Sequence, residues 1–194
     1  MSREPGDGEG QGIGRKRRAR TPRPSPSDLS PAERRERAQA DALRLLSHRE
    51  RSRRELATRL RSRGYDPETV ESVLDRLAEA GLQSDGRFAE EYVTSAQRSR
   101  GLATASIQGE LRRRGIDREL AARAATEPPE AEEDRARALA HRRAGGMRNL
   151  TPDVKRRRLT AYLARRGYEP SLCERIAAEA VGDHPADPDA GRLN

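Results

Sequence analysis

Three times in this chain a basic helix end runs into a glycine and at once into a new helix start, and that repeat limits the fold more than any other feature. Leu60-Arg61-Ser62-Arg63-Gly64-Tyr65-Asp66-Pro67 returns as Leu111-Arg112-Arg113-Arg114-Gly115-Ile116-Asp117-Arg118 and as Leu163-Ala164-Arg165-Arg166-Gly167-Tyr168-Glu169-Pro170. In the first joint, Gly64 supplies the left-handed residue past a helix end, and Tyr65 can pack back on the last turn. Asp66 caps the next helix, and Pro67 takes its first position, where a missing N–H costs nothing. The glycines lie 51 and 52 residues apart. Each joint follows an apolar pair four residues apart, Leu56/Leu60, Ile107/Leu111 and Leu159/Leu163, which is one face of a short helix. Such a period is the mark of tandem helical units. The expected fold is all-α: a tandem array of three three-helix units.

Composition agrees with small cores. Of 194 residues, 37% are charged and 32% hydrophobic, with no Trp and one Phe, so a single large core is not expected. The net charge of +8 favours an acidic partner such as nucleic acid. All basic residues but Lys16 and Lys155 are Arg, a bias that GC-rich coding explains without any function. Cys173 is alone, which excludes an intramolecular disulfide. No apolar run approaches the roughly 20 residues of a membrane span, so a soluble cytoplasmic protein is expected.

Residues 1–30 carry Gly, Pro, Ser and charge and read as a disordered basic arm, with Arg15-Lys16-Arg17-Arg18-Ala19-Arg20 inside it. Unit 1, residues 31–82, opens on the capping box Ser30-Pro31-Ala32-Glu33, and a second box, Ser52-Arg53-Arg54-Glu55, opens its second helix. Val70, Val73, Leu74 and Leu77 follow on the third, which Gly81-Leu82 stops. Unit 2, residues 83–127, starts at Ser84 or Asp85, and its Phe88, Ala89, Tyr92, Val93 and Ala96 suggest the best-packed core. Unit 3, residues 128–182, reads as the loosest, because its first helix offers little beyond Ala136, Leu139 and Ala140. Residues 183–194 read as an unstructured acidic tail.

Charge is segregated within the units. In unit 1 the second helix and its approach hold Arg51, Arg53, Arg54, Arg59, Arg61 and Arg63, whereas the third holds Asp66, Glu68, Glu71, Asp75 and Glu79. Dipole matching accounts for cations at helix ends and carboxylates at helix starts. It does not account for Arg53, Arg54 or Lys155 to Arg158, near the starts of their helices. An anion-binding face on the second helices is the reading, with Arg53, Arg54, Arg112, Arg113, Arg156, Arg157 and Arg158 as contact candidates.

Nothing points to catalysis. His48 and His141 suit helix C-termini, His184 lies in the tail, and no spacing forms a metal site. There is no phosphate loop and no nucleophile elbow, and Cys173 beside Leu172 and Ile176 fits a core edge. No cofactor and no metal are expected. Residues Glu55 to Leu82 also look like a helix-turn-helix, which gives a DNA-binding transcriptional or nucleoid protein as the alternative, although an acidic third helix suits a major groove poorly. A purely structural helical adaptor is a further rival.

Beyond periodicity, the motifs resemble the RecX regulatory proteins, which act on the RecA recombinase. Ala42 through Leu46, Glu55-Leu56 with Leu60 and Gly64, and Leu74, Leu77 and Gly81-Leu82 carry the likeness. The signature Asp85-x-x-Phe88-Ala89-x-x-Tyr92-Val93, then Gly101, Ile107, Glu110-Leu111, Gly115-Ile116 and the third joint extend it over residues 38–181. Gln83-Ser84 depart from the Asn or Asp more usual there. The resemblance implies a non-enzymatic monomer, an elongated, curved array of three-helix units with disordered N- and C-terminal tails, that lies in the groove of the RecA filament on single-stranded DNA. It implies restraint of the filament's ATPase, strand exchange and co-protease activities.

Overall fold

The computed structural model describes residues 25–182. Residues 1–24 of the arm expected at 1–30, and the tail expected at 183–194, lie outside them. Nine α-helices follow a short 3₁₀ turn at Pro26–Asp28, and no strand occurs among the described residues. They are α1 (Pro31–Leu46), α2 (Arg53–Arg61), α3 (Pro67–Glu79), α4 (Asp85–Arg100), α5 (Thr104–Arg113), α6 (Arg118–Ala124), α7 (Pro129–Ala144), α8 (Pro152–Ala164) and α9 (Pro170–Gly182). The extensive helix-to-helix packings all lie inside a set of three consecutive helices.

The joints form as their residues dictate. Gly64, Gly115 and Gly167 hold φ of +90°, +89° and +87°. The Tyr65 and Ile116 amides donate to Leu60 O and Leu111 O, closing the helix-ending loop of the first two joints. Asp66 accepts from the Thr69 amide at 2.8 Å, and Tyr65 tucks its ring into the core with its hydroxyl on Asp41 Oδ2. Asp41, 7% exposed, is a buried carboxylate that Tyr65, Arg44 and Arg63 together satisfy.

Each unit has its own apolar cluster. Unit 1 buries Leu56, Leu60, Val70, Val73, Leu74 and Leu77; unit 2 buries Phe88, Ala89, Ile107, Leu111 and Ile116. Unit 3 buries Leu139, Leu159, Leu163, Tyr168, Cys173 and Ile176, and its cluster also takes in Ala103 from unit 2.

Four expectations need correction. Unit 2 is not the best-packed: of the twelve largest fully buried side chains, it supplies only Ile107 and Leu111, and unit 3 has the most extensive cluster. Tyr92 stays half-buried and α6 has seven residues, whereas the small Ala136, Ala140 and Ala144 of α7 let unit 3 close around Met147. The arm does not run to residue 30, because Arg34 donates to Pro26 O and Leu29 O and pins residues 25–30 beside α1. The second capping box is half made: Ser52 Oγ accepts from the Glu55 amide, but the Glu55 carboxylate turns to arginines instead. Finally, Cys173 is at 0% exposure inside the core rather than at its edge, where burial pushes its thiol pKa up.

Candidate functional site

The short α2 is amphipathic in a way that sorts its arginines. Leu56, Ala57 and Leu60 face the core of unit 1, so the residues between them divide over the two flanks. One flank turns toward α3. There Arg53 pairs with Glu71 and Asp75, both at 2.7 Å, and Arg61 pairs with Glu71 at 2.9 Å. Part of the charge segregation in unit 1 is therefore an internal ladder between a basic and an acidic helix, and Arg53 belongs to it.

The other flank faces unit 2. Two contacts set the distance. Ser52 Oγ, while capping α2, donates to Arg114 O at 2.7 Å. Gly115 lies so near α2 that a Cβ there would stand 2.5 Å from Arg54 Cβ. The glycine thus serves twice, as the left-handed helix stop and as the bare surface on which the preceding unit rests. The next interface repeats the arrangement: the Ala103 amide donates to Arg166 O at 3.0 Å, and a Cβ on Gly167 would overlap Ser106.

Bringing the α5 end against α2 makes a cleft of roughly 430 Å³ lined by Arg49, Arg51, Arg54, Arg59, Arg113, Arg114, Thr58 and Glu55. Glu55 is the only carboxylate in that lining. It accepts from Arg114 Nη1 at 2.5 Å and from Arg49 Nη2 at 3.2 Å, with Arg51 at 4.0 Å. Within the lining, Glu55 pairs with neither Arg54, Arg59 nor Arg113, and Arg113 interacts instead with Glu110 outside it. Six guanidiniums against one carboxylate leave the cleft with a strong positive potential. The crowding registers on Arg51, whose pKa is lowered by burial and by neighbouring Arg49 and Arg59 against the pull of Glu55. Arg114 stays firmly charged: burial opposes it, but Tyr92 and Glu55 raise its pKa, and its guanidinium lies 4.7 Å from the Tyr92 ring centre.

Of the seven arginines expected to form one face, the structure brings only Arg54 and Arg113 into this cleft. Arg112 is exposed on α5 but does not line it. The Arg156 to Arg158 run is split by the helical twist. Arg156 and Arg157 line a cleft of about 760 Å³ along α8 and α9, where Arg156 reaches Asp153 at 3.3 Å. Arg158 joins Arg143 and Arg148 at a third cleft beside the α7–α8 turn. Arg49, Arg51, Arg59 and Arg114 line the cleft without being among those seven; Arg51 and Arg59 were visible in the basic half of unit 1, whereas Arg49 was not. The repeat offered the signal for Arg114, which sits immediately before a joint glycine.

Models of the first, second and third three-helix domains of RecX match residues 38–77, 84–124 and 130–176. The chain belongs to the RecX family of regulatory proteins. It is 39% identical to the regulatory protein RecX of Amycolatopsis mediterranei over 161 residues, covering 82% of this chain and 92% of that one. With the regulatory protein RecX of Thermobifida fusca the identity is 41% over 154 residues, covering 78% and 83%. The crystal structure of RecX from Lactobacillus salivarius has the same fold, with a TM-score of 0.67 over 77% of this chain and 97% of that chain at 22% identity. In this RecX chain the arginine cleft is built by the first and second domains together. No group of three or more metal-ligating side chains is found among its described residues, and no helix among them is long and apolar enough to cross a membrane.

Proposed function

We propose that this chain is a negative regulator of the RecA recombinase, binding the RecA filament on single-stranded DNA and restraining its ATPase, strand exchange and co-protease activities. Membership of the RecX family supports the regulatory role. The structural observation that carries the proposal is the cleft in which six arginines surround Glu55 at the junction of two units. A nucleoprotein filament offers phosphates and acidic side chains along a helical path, and a string of small helical units joined by polar turns suits such a path. Arg54 and Arg113, with Arg49 and Arg59, are the contact residues in this reading; Arg112 and Arg156 to Arg158 supply further exposed cations. The chain acts by binding, as a monomer in the cytoplasm, without chemistry of its own.

The helix-turn-helix alternative has less behind it. Its groove-reading helix would be α3, which presents Glu68, Glu71, Asp75 and Glu79 and already uses two of them to hold Arg53. Phosphates approaching that helix meet carboxylates.

The test is the single-stranded-DNA-stimulated ATPase of RecA, titrated with this chain at fixed salt beside an unrelated basic protein. Inhibition at well below one copy per RecA, absent from the control, is the expected result. Inhibition matched by the control, and lost with modest salt, would reduce the activity to non-specific phosphate binding.

A further inference from the structure

The two junctions between units are built differently. Between units 2 and 3, Ala103 enters the apolar cluster of unit 3, Gly101 abuts Leu139, and the buried Tyr168 donates its hydroxyl to Gly101 O, alongside a largely buried Arg135–Glu127 pair and the Thr104 amide on Glu132. Between units 1 and 2 no apolar cluster is shared and, apart from the Arg54 stem resting on Gly115, the contacts are polar. They are Ser52 to Arg114 O, Arg114 to Glu55, the Arg53 amide to Asp85 Oδ1 at 2.7 Å, and Arg87 Nε to Glu50 at 3.0 Å. No residue of unit 1 belongs to the apolar cluster of unit 2. Unit 1 is held by charges, and charges can be competed for.

The arginine cleft lies at this polar junction, and Glu55 is at once its one anion and the tether that holds Arg114. We infer that the cleft takes the phosphodiester backbone of a single nucleic-acid strand, and that an entering phosphate displaces Glu55 from Arg114 and loosens unit 1 from unit 2. Arg forks match phosphate oxygens bidentately, so a phosphate offers Arg114 the same geometry that the carboxylate does. The lining contains no aromatic face on which bases could stack, since Tyr92 lies beneath Arg100 and Arg114. The contact is therefore to backbone, without sequence preference. A strand carries one charge on every nucleotide, a density that suits six arginines lining a cleft with one carboxylate. The inference rests on the proposed reading for its ligand but needs no RecA, and the two can fail separately.

The experiment measures binding of a labelled oligo-dT strand to the full chain by fluorescence anisotropy, without RecA, while a dye pair at Ala40→Cys and Ser95→Cys reports the unit 1 to unit 2 distance. Both positions are exposed, on α1 and α4, whereas Cys173 is fully buried. A second pair, Ser95→Cys and Ala138→Cys, reports units 2 and 3. Saturating oligo-dT should change or broaden the first distance and leave the second unaltered. Glu55→Gln should bind about fivefold more tightly, the effect of removing one unit charge roughly 4 Å from the ligand in a high-dielectric cleft. Arg54→Gln with Arg59→Gln should weaken binding and flatten the salt slope by about 1.4, at roughly 0.7 for each lost single-strand phosphate contact. An unmoved first distance at saturation, an affinity of Glu55→Gln equal to or below that of the unaltered chain, or equal binding of poly-glutamate would each overturn the inference. The distance measurement uses native Glu55, so it decides the question even where Glu55→Gln folds poorly. Loss of RecA inhibition with these results intact would sink the filament reading alone.

Discussion

At the scale of single residues, the three joint glycines look interchangeable in the sequence and are not. All three sit at φ near +90°, which asks any L-residue for about 1–2 kcal/mol. Beyond that they differ in what lies opposite. A Cβ on Gly64 meets only Pro26 side-chain carbons at 3.7 Å, whereas on Gly115 it meets Arg54 Cβ at 2.5 Å and on Gly167 it overlaps Ser106. Chemical denaturation should therefore rank Gly64→Ala as the mildest change, near the backbone cost alone, with Gly115→Ala and Gly167→Ala costing more. Equal losses at all three would mean that the close approach between units is not maintained in solution. Phe88 sets the other residue-scale test: it is 2% exposed and stacks on Tyr92 at 5.9 Å between centres, so Phe88→Ala should cost about 3–5 kcal/mol. An unchanged unfolding midpoint would remove Phe88 from the core. The left-handed role of each glycine was legible from its place after an apolar helix face. The second role of Gly115 and Gly167 was not, because Arg54 and Ser106 each lie 61 residues earlier in the chain and leave no local pattern.

At the scale of elements, caps and faces read true where the partner is near in sequence and fail where a distant group intervenes. Asp66 was legible as the α3 cap from Gly-Tyr-Asp-Pro. Arg34, which adds a 2.9 Å bridge to the same carboxylate, was not, being 32 residues away. The Thr69 amide and hydroxyl, then Arg34, lower the Asp66 pKa from 3.8 to about 2. A depressed carboxyl contributes stability that is complete above its unfolded pKa and is lost as pH falls through the folded one. Acid titration of thermal stability should accordingly show unit 1 weakening between about pH 4 and pH 2, by about 1 kcal/mol for a side chain still 37% exposed. Asp66→Asn should flatten that step, and an unaltered acid profile in the variant would assign the loss to other carboxylates. The same rule explains α2. Its surplus of arginine was visible, but periodicity could not tell which flank faced Glu71 and Asp75 and which faced the next unit. Arg53, a contact candidate on sequence grounds, is thereby a strut inside unit 1. Glu55, read as half of a capping box, is instead the counter-charge of a cleft.

At the scale of the whole molecule, three units of one plan are coupled unequally, and the difference traces to single side chains. Three units and their order were legible because the joint recurs at a near-constant spacing. The strength of coupling between them was not, since it depends on Ala103 and Leu139 reaching across one junction beside the Arg135–Glu127 pair, and on arginines meeting carboxylates without a shared apolar cluster across the other. Apolar burial shared between units 2 and 3 is insensitive to salt, whereas exposed ion pairs weaken as salt screens them. Local opening should follow that division. Leu74→Ala, at a fully buried position of unit 1, should remove about 2–5 kcal/mol and speed amide exchange within residues 31–82 with little effect beyond them. Leu139→Ala removes a side chain packed both in unit 3 and against Gly101, so exchange should accelerate in α4 and α5 as well as in α7 to α9. Residue-resolved hydrogen exchange distinguishes these patterns. Spread of the Leu74→Ala effect through units 2 and 3, to the extent seen for Leu139→Ala, would show one cooperative body and refute the division into a charge-tethered unit 1 and an apolar-coupled pair. The expected pattern instead leaves unit 1 able to reorient while units 2 and 3 move as one, a motion that the arginine cleft, set at their border, is placed to control.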